Sequence, residues 1–152
     1  MNEERNIQYY PFRVDFSLLV LRVTVGMIFA AHGSQKLFGA FEGPGLAKTV
    51  EMMGGGPLPY LVMVGEFFGG LGLIFGFLSR FSAASLIVIM IGAIATVHGK
   101  NGLFQSDGGF EYNLALIGLL VPILLCGPGR LSIAHCCMPR SARSGRPVIL
   151  VE

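Results

Sequence analysis

From Phe16 to Phe38 the chain reads FSLLVLRVTVGMIFAAHGSQKLF, apolar except for Arg22 until it closes on His32, Gln35 and Lys36. A hydrocarbon core about 30 Å thick is crossed by about 20 such residues in one helix, so this stretch is sized for a bilayer. Three more follow, Leu58 to Leu78, Phe81 to Val97 and Glu111 to Cys126, of which the last two are short. Short spans are met by a thinned bilayer, by interfacial flanking residues, or by packing mainly against protein. Composition agrees: 53% of residues are hydrophobic, 13% are charged and the mean hydropathy is +0.66, values foreign to ordinary soluble domains. The expected fold is all-α, one integral membrane four-helix bundle over residues 16–132. It stands between an N-terminal segment, 1–15, and a tail, 133–152, with no room for a second domain.

Basic residues are retained on the cytoplasmic side during insertion. With the start of the chain inside, Arg5, Arg13, Arg80, Arg130, Arg140, Arg143 and Arg146 all lie inside, and Lys36, Lys48 and Lys100 outside. Both termini are therefore expected in the cytoplasm. The first apolar stretch spans and lacks a small-residue cleavage pattern, so no cleavable signal is expected. The Arg-rich tail lacks interleaved aromatics, which gives no pointer to nucleic acid. Cys126, Cys136 and Cys137 form no Cys-x-x-Cys and fall at or beyond the inner face, where thiols stay reduced.

The first outer connection contains Leu46, Val50 and Met53 at helical spacing, with Lys48 and Glu51 elsewhere. This pattern predicts a short amphipathic surface helix. Small residues form stripes, Gly26, Ala30 and Gly33 in the first span and Gly65, Gly69, Gly72 and Gly76 in the second, which suits close helix packing in lipid. The stripe Glu111, Ala115, Gly118 and Pro122 also reads as a packing face. HGSQKLF at His32 and HGKNGLF at His98 share a pattern that suggests two related halves, set against coincidence in a Gly-, Leu- and Phe-rich chain.

Polar groups from all four spans are expected near one level under the outer rim. They are His32, Gln35 and Lys36 on the first helix, Glu66 on the second, His98 ending the third, and Glu111, Tyr112 and Asn113 opening the fourth. Ionisable groups in a bilayer are costly and usually face the bundle interior with a partner. Lys36 has Glu66 or Glu111 available, and each His a carboxylate. The plainer readings are that Lys36 snorkels, that Glu111 complements a helix dipole, and that His98 shares a lipid-facing stripe. Arg22, nearer the inner side, reads as a contact to lipid phosphate.

In order, HGSQKLFG, EFFGGLGLIFGFLSR, VHGKNGLF, GGFEYNLAL and GPGRLS resemble the DoxX family of small four-helix membrane proteins, over about Phe16 to Ser132. The resemblance implies a prokaryotic cytoplasmic (inner) membrane protein of a quinone-linked redox system, acting with a protein partner. On the residues, Glu66, His32 and Glu111 are the candidate catalytic groups. Gln35, Lys36, His98, Tyr112, Asn113 and Phe67 are the candidate binding groups, with quinone the candidate ligand. Phe29 and Phe68 are further candidates for a ring pocket. The chain has no flavin, haem or cluster motif, so electrons would come from the partner. Two alternatives stay open: a metal or haem site built from the histidines and carboxylates, and a non-enzymatic assembly subunit or small-solute carrier. Homo-oligomerisation is also open.

Overall fold

The computed structural model describes residues 12–136, so the tail beyond Cys136 and the first eleven residues lie outside the described part. Every regular element within it is helical. Helix α1 spans Phe12–Phe38 and α2 spans Gly45–Met52, with a single 3-10 turn between them. Helix α3 covers Leu58–Phe75, α4 Ser79–Ala93, α5 Glu111–Cys126 and α6 Ile133–Cys136. Three helical stretches, Phe12–Phe38, Leu58–Phe75 and Ser79–Asn101, are long and apolar enough to cross a membrane, and Glu111–Cys126 is a shorter apolar helix. The third span is thus longer than its apolar run suggests, because α4 continues through a π turn, Ile94–His98, and a 3-10 turn, Gly99–Asn101. Helix α5 is the short one, roughly 24 Å at 1.5 Å per residue.

Helices α1, α3, α4 and α5 enclose one core, formed by Val25, Phe29, Leu73, Ala83, Leu86, Met90, Leu116, Leu120 and Ile123. Helices α1 and α3 make the closest pair. A Cβ on Gly33 would lie 2.5 Å from the Phe67 nitrogen, and one on Gly70 2.5 Å from the Ala30 nitrogen, so bare backbone meets bare backbone. Lipid gives helices no hydrophobic reason to associate, and such fit supplies dispersion contacts instead. Gly33→Ala should therefore cost about 1–3 kcal/mol through forced separation of the two backbones, read as a lower unfolding midpoint in a detergent titration.

Gly70 is absent from the stripe expected on α3. That stripe divides: Gly65, Gly69 and Gly72 face Ile89, Leu86 and Ser82 of α4, while Gly76 lies beneath Arg22 and Ser132. The expected packing face on α5 is overturned. Glu111, Ala115, Gly118 and Pro122 are all exposed, and Asn113, Leu116, Leu120 and Ile123 are buried. When a helix is apolar all round, small residues alone do not mark which side meets protein. In α2 Leu46 and Met53 are exposed, Val50 is half-buried and Thr49 is the buried residue.

Arg22 corrects a further expectation. It is 2% exposed, enclosed by the chain itself. Its Nη1 donates to the carbonyls of Leu73 at 3.0 Å and Ile74 at 2.7 Å, and its Nη2 donates to the Leu131 carbonyl. The guanidinium thus supplies donors to the open C-terminal end of α3, where the helix dipole places negative partial charge. Gly76 closes that end at φ 70. A side chain there would be strained by the backbone and would also meet Arg22 Nη1 at 2.7 Å.

Candidate functional site

Lys36 sits in the last turn of α1 and Glu66 in the first half of α3, and the tight α1–α3 packing brings them together. The Lys36 Nζ lies 2.6 Å from both Glu66 carboxylate oxygens. The Glu66 side chain is 4% exposed and that of Lys36 29%, so the acid is enclosed and the ammonium reaches toward the rim. Of the two carboxylates open to Lys36 from sequence, Glu66 is the one it holds. Beside the pair, Phe67 makes edge-to-face contacts with Phe38 and Phe68, each at 5.3 Å between ring centroids. Phe29 is buried in the core, away from any surface.

The remaining candidates divide between the bundle and the α4–α5 connection. His32, exposed on α1, meets the Tyr112 ring of α5 edge-on at 6.5 Å. Asn113 is buried and donates from Nδ2 to the Met90 sulfur at 3.4 Å, joining α5 to α4. His98 is half-buried, with its Nδ1 2.7 Å from the Gly108 carbonyl. Glu111 is exposed and accepts from the Gln105 backbone N–H at 2.9 Å. Gln35 forms the floor under Gly43, whose missing Cβ would lie 2.6 Å from that of Gln35.

The arrangement is therefore an ion pair between α1 and α3, a ring contact between α1 and α5, and locally bonded His98 and Glu111. Among the described residues, no three His, Cys, Asp or Glu side chains are grouped as a metal ion requires. Sequence reasoning missed the local role of His98 and Glu111, although the Gly-rich, Asp-containing stretch between them is a turn signal.

The sequence matches the DoxX family model over residues 17–99, more than half of the chain. The chain belongs to the DoxX family. Its relatives include "Putative oxidoreductase CatD" of Bacillus subtilis, 33% identical over 69% of this chain and 76% of that one. "Inner membrane protein YqjF" of Escherichia coli is 31% identical over 78% and 90% of the two chains. "Uncharacterized membrane protein Rv3486" of Mycobacterium tuberculosis is 26% identical over 85% and 86%. No solved structure matches. The DoxX match covers α1 through the π turn of α4, so both Lys36 and Glu66 lie within it, and this DoxX chain is a membrane protein.

Proposed function

We propose that the protein is a membrane subunit of a quinone-linked redox system in a prokaryotic inner membrane, with the Lys36–Glu66 pair as its ligand-facing polar group. The arginines Arg13, Arg80 and Arg130 fall at one end of the bundle and Lys36, Lys48 and Lys100 at the other. The arginine end is then cytoplasmic and α2 lies in the first outer loop. One observation carries the reading: a carboxylate enclosed among apolar helices, held by an ammonium that is itself partly open. Ionisable groups kept at such depth mark ligand or proton pathways.

Reduction of a quinone takes up two electrons and two protons, the electrons coming from a partner protein. In this chain the Lys36 ammonium donates a hydrogen bond and then one proton to a ring carbonyl, the Glu66 carboxylate takes up the replacing proton and returns it to Lys36, and Phe67 with Phe38 and Phe68 gives the ring an apolar surface. His32, exposed beside Tyr112, is a second donor at the same end. The name of the Bacillus relative supports redox chemistry only as that relative's description.

Calorimetric titration of a short-chain ubiquinone into the purified protein should show saturable binding, weakened about tenfold or more in Lys36→Met through loss of a charged hydrogen bond. Wild-type protein that shows no binding removes the reading. A second reading, a non-enzymatic assembly subunit, is favoured by the fact that Glu66, Glu111, His98 and Asn113 each have a partner inside the chain. Glu66→Gln separates the two: an assembled variant without turnover supports chemistry, and loss of assembly alone supports the structural role.

A further inference from the structure

Helix α1 lays its Gly26, Ala30 and Gly33 side against α3 and turns His32 toward α5, where the imidazole meets the Tyr112 ring. At about 100° of rotation per residue, Lys36 stands about 40° from His32 and about 60° from Gly33, so it points into the bundle between the two neighbours. The Lys36–Glu66 site thus has α3 on one side and the α1–α5 seam on the other.

That seam is the loosest of those between the four long helices, because α5 packs mainly on α4. It is tied at its inner end, where Asp15 accepts from the Arg130 backbone N–H at 2.8 Å and Arg22 donates to the Leu131 carbonyl. Toward the lysine end, the polar or aromatic contact that the described residues supply between α1 and α5 is the edge-on meeting of His32 and Tyr112, 6.5 Å between ring centroids. A seam pinned at one end and lightly held at the other makes a slot that opens sideways to the bilayer.

Both rings at the slot keep their hydrogen bonds unspent. His32 is exposed and Tyr112 is 40% exposed, and among the described residues neither side chain makes a hydrogen bond. His32 lies about 9 Å below the end of α1 at Phe38. A tyrosine at that depth is ordinary for a membrane interface, but an imidazole facing lipid without a partner is costly. Lys36 adds a further donor, since two of its ammonium protons go to the Glu66 oxygens and the third is free. His32 and Lys36 are one helical turn apart, and the two carbonyl oxygens of a 1,4-quinone are separated by nearly that pitch, about 5.4 Å. Those of a 1,2-quinone lie side by side and cannot reach both donors.

We propose that the ligand enters sideways from the bilayer, through the lysine end of the α1–α5 seam, and is a 1,4-quinone held across one turn of α1. One carbonyl accepts from Lys36 and the other from His32, and Tyr112 is the leaf of the slot against which His32 is set. The assignment rests on the quinone reading above and adds to it a direction of entry and a selectivity.

The test titrates the purified full chain by calorimetry with two isomers of one formula, 9,10-anthraquinone, whose carbonyls are opposed, and 9,10-phenanthrenequinone, whose carbonyls are adjacent. Wild type should bind the first about tenfold more tightly, the effect of one hydrogen bond gained. His32→Leu should weaken anthraquinone binding about tenfold and abolish the preference, and His32→Gln, which keeps a donor, should restore most of it. The wild-type preference decides the matter should His32→Leu not assemble. A 1,4-quinone with a diazirine on its tail should label Ile28 and Leu119, one turn below His32 and two below Tyr112, over the exposed Val88 of α4. Equal affinity for the two isomers overturns the proposal, and so does labelling confined to α3 and α4. Anthraquinone binding that Lys36→Met weakens and His32→Leu does not overturns it too, and leaves the quinone reading standing. A wild type that binds neither isomer also overturns it, and one that binds no short-chain ubiquinone either removes the quinone reading as well.

Discussion

Arg22→Ala should be among the most damaging single changes in the bundle, lowering stability by about 3–5 kcal/mol. The side chain is enclosed and holds three carbonyls from two separate elements, those of Leu73 and Ile74 at the end of α3 and that of Leu131 beyond α5. Alanine removes the donor to the Ile74 and Leu131 carbonyls and leaves that of Leu73 only the Gly76 N–H at 3.2 Å, and it leaves a void where the guanidinium stood. Arg22→Lys keeps the charge but gives up the planar fork that reaches two elements at once, so it should recover only part of the loss. Unfolding from mild detergent into sodium dodecyl sulfate, followed by far-ultraviolet circular dichroism, measures both variants. An Arg22→Ala midpoint equal to wild type would mean that the carbonyls find other partners and that the clasp is not what joins α3 to the Leu131 segment. Gly76→Ala should act in the same direction, since its φ of 70 and its contact with Arg22 both exclude a side chain.

Arg22 also shows where sequence reading reaches its limit. Hydropathy gave the spans closely, because a bilayer imposes a length on any helix that crosses it and that length is written in the residues. The stripe of small residues on α1 was legible as well: Gly26 and Gly33 are buried, with Ala30 half-buried beside them. What periodicity does not encode is the partner: an arginine part-way into a membrane helix looks the same whether it reaches a lipid phosphate or a neighbouring helix end. The same ambiguity explains α5, where small residues marked the uncovered face, and α3, where Gly70, outside the expected stripe, meets the α1 backbone and Gly76 alone of that stripe reaches α1, at Arg22. For the polar groups, depth was readable from position along each helix, but azimuth was not. His98 and Glu111 stand at the expected end of the bundle, yet they spend their hydrogen bonds on the Gln105–Gly108 turn. Lys36 and Glu66 were the pair that sequence could suggest, because a long apolar run on both sides of a glutamate leaves it few alternatives to a cationic partner.

The Lys36–Glu66 pair should show a strong asymmetry under substitution. Lys36→Met leaves a carboxylate whose side chain is 4% exposed without its cation, whereas Glu66→Met leaves an ammonium on a side chain already 29% exposed. The lysine can swing its stem to the rim and rehydrate, and the glutamate cannot. Lys36→Met should therefore cost about 3–5 kcal/mol and Glu66→Met appreciably less. The double variant, Lys36→Met with Glu66→Met, removes both charges and fills the site with apolar atoms, so it should unfold at or above the Lys36→Met midpoint by a coupling of about 1–3 kcal/mol. Equal costs for the two single changes, or strict additivity in the double, would show that the contact at 2.6 Å contributes little beyond proximity. The double variant also bears on function. A stable bundle that no longer binds quinone would separate the fold from the chemistry, because methionine replaces the packing of the pair but neither its charge nor its hydrogen bonds. A stable bundle that binds quinone as well as wild type would move the ligand away from α1 and α3 altogether, and His32 beside Tyr112 would then be the donor at that end of the bundle left to examine.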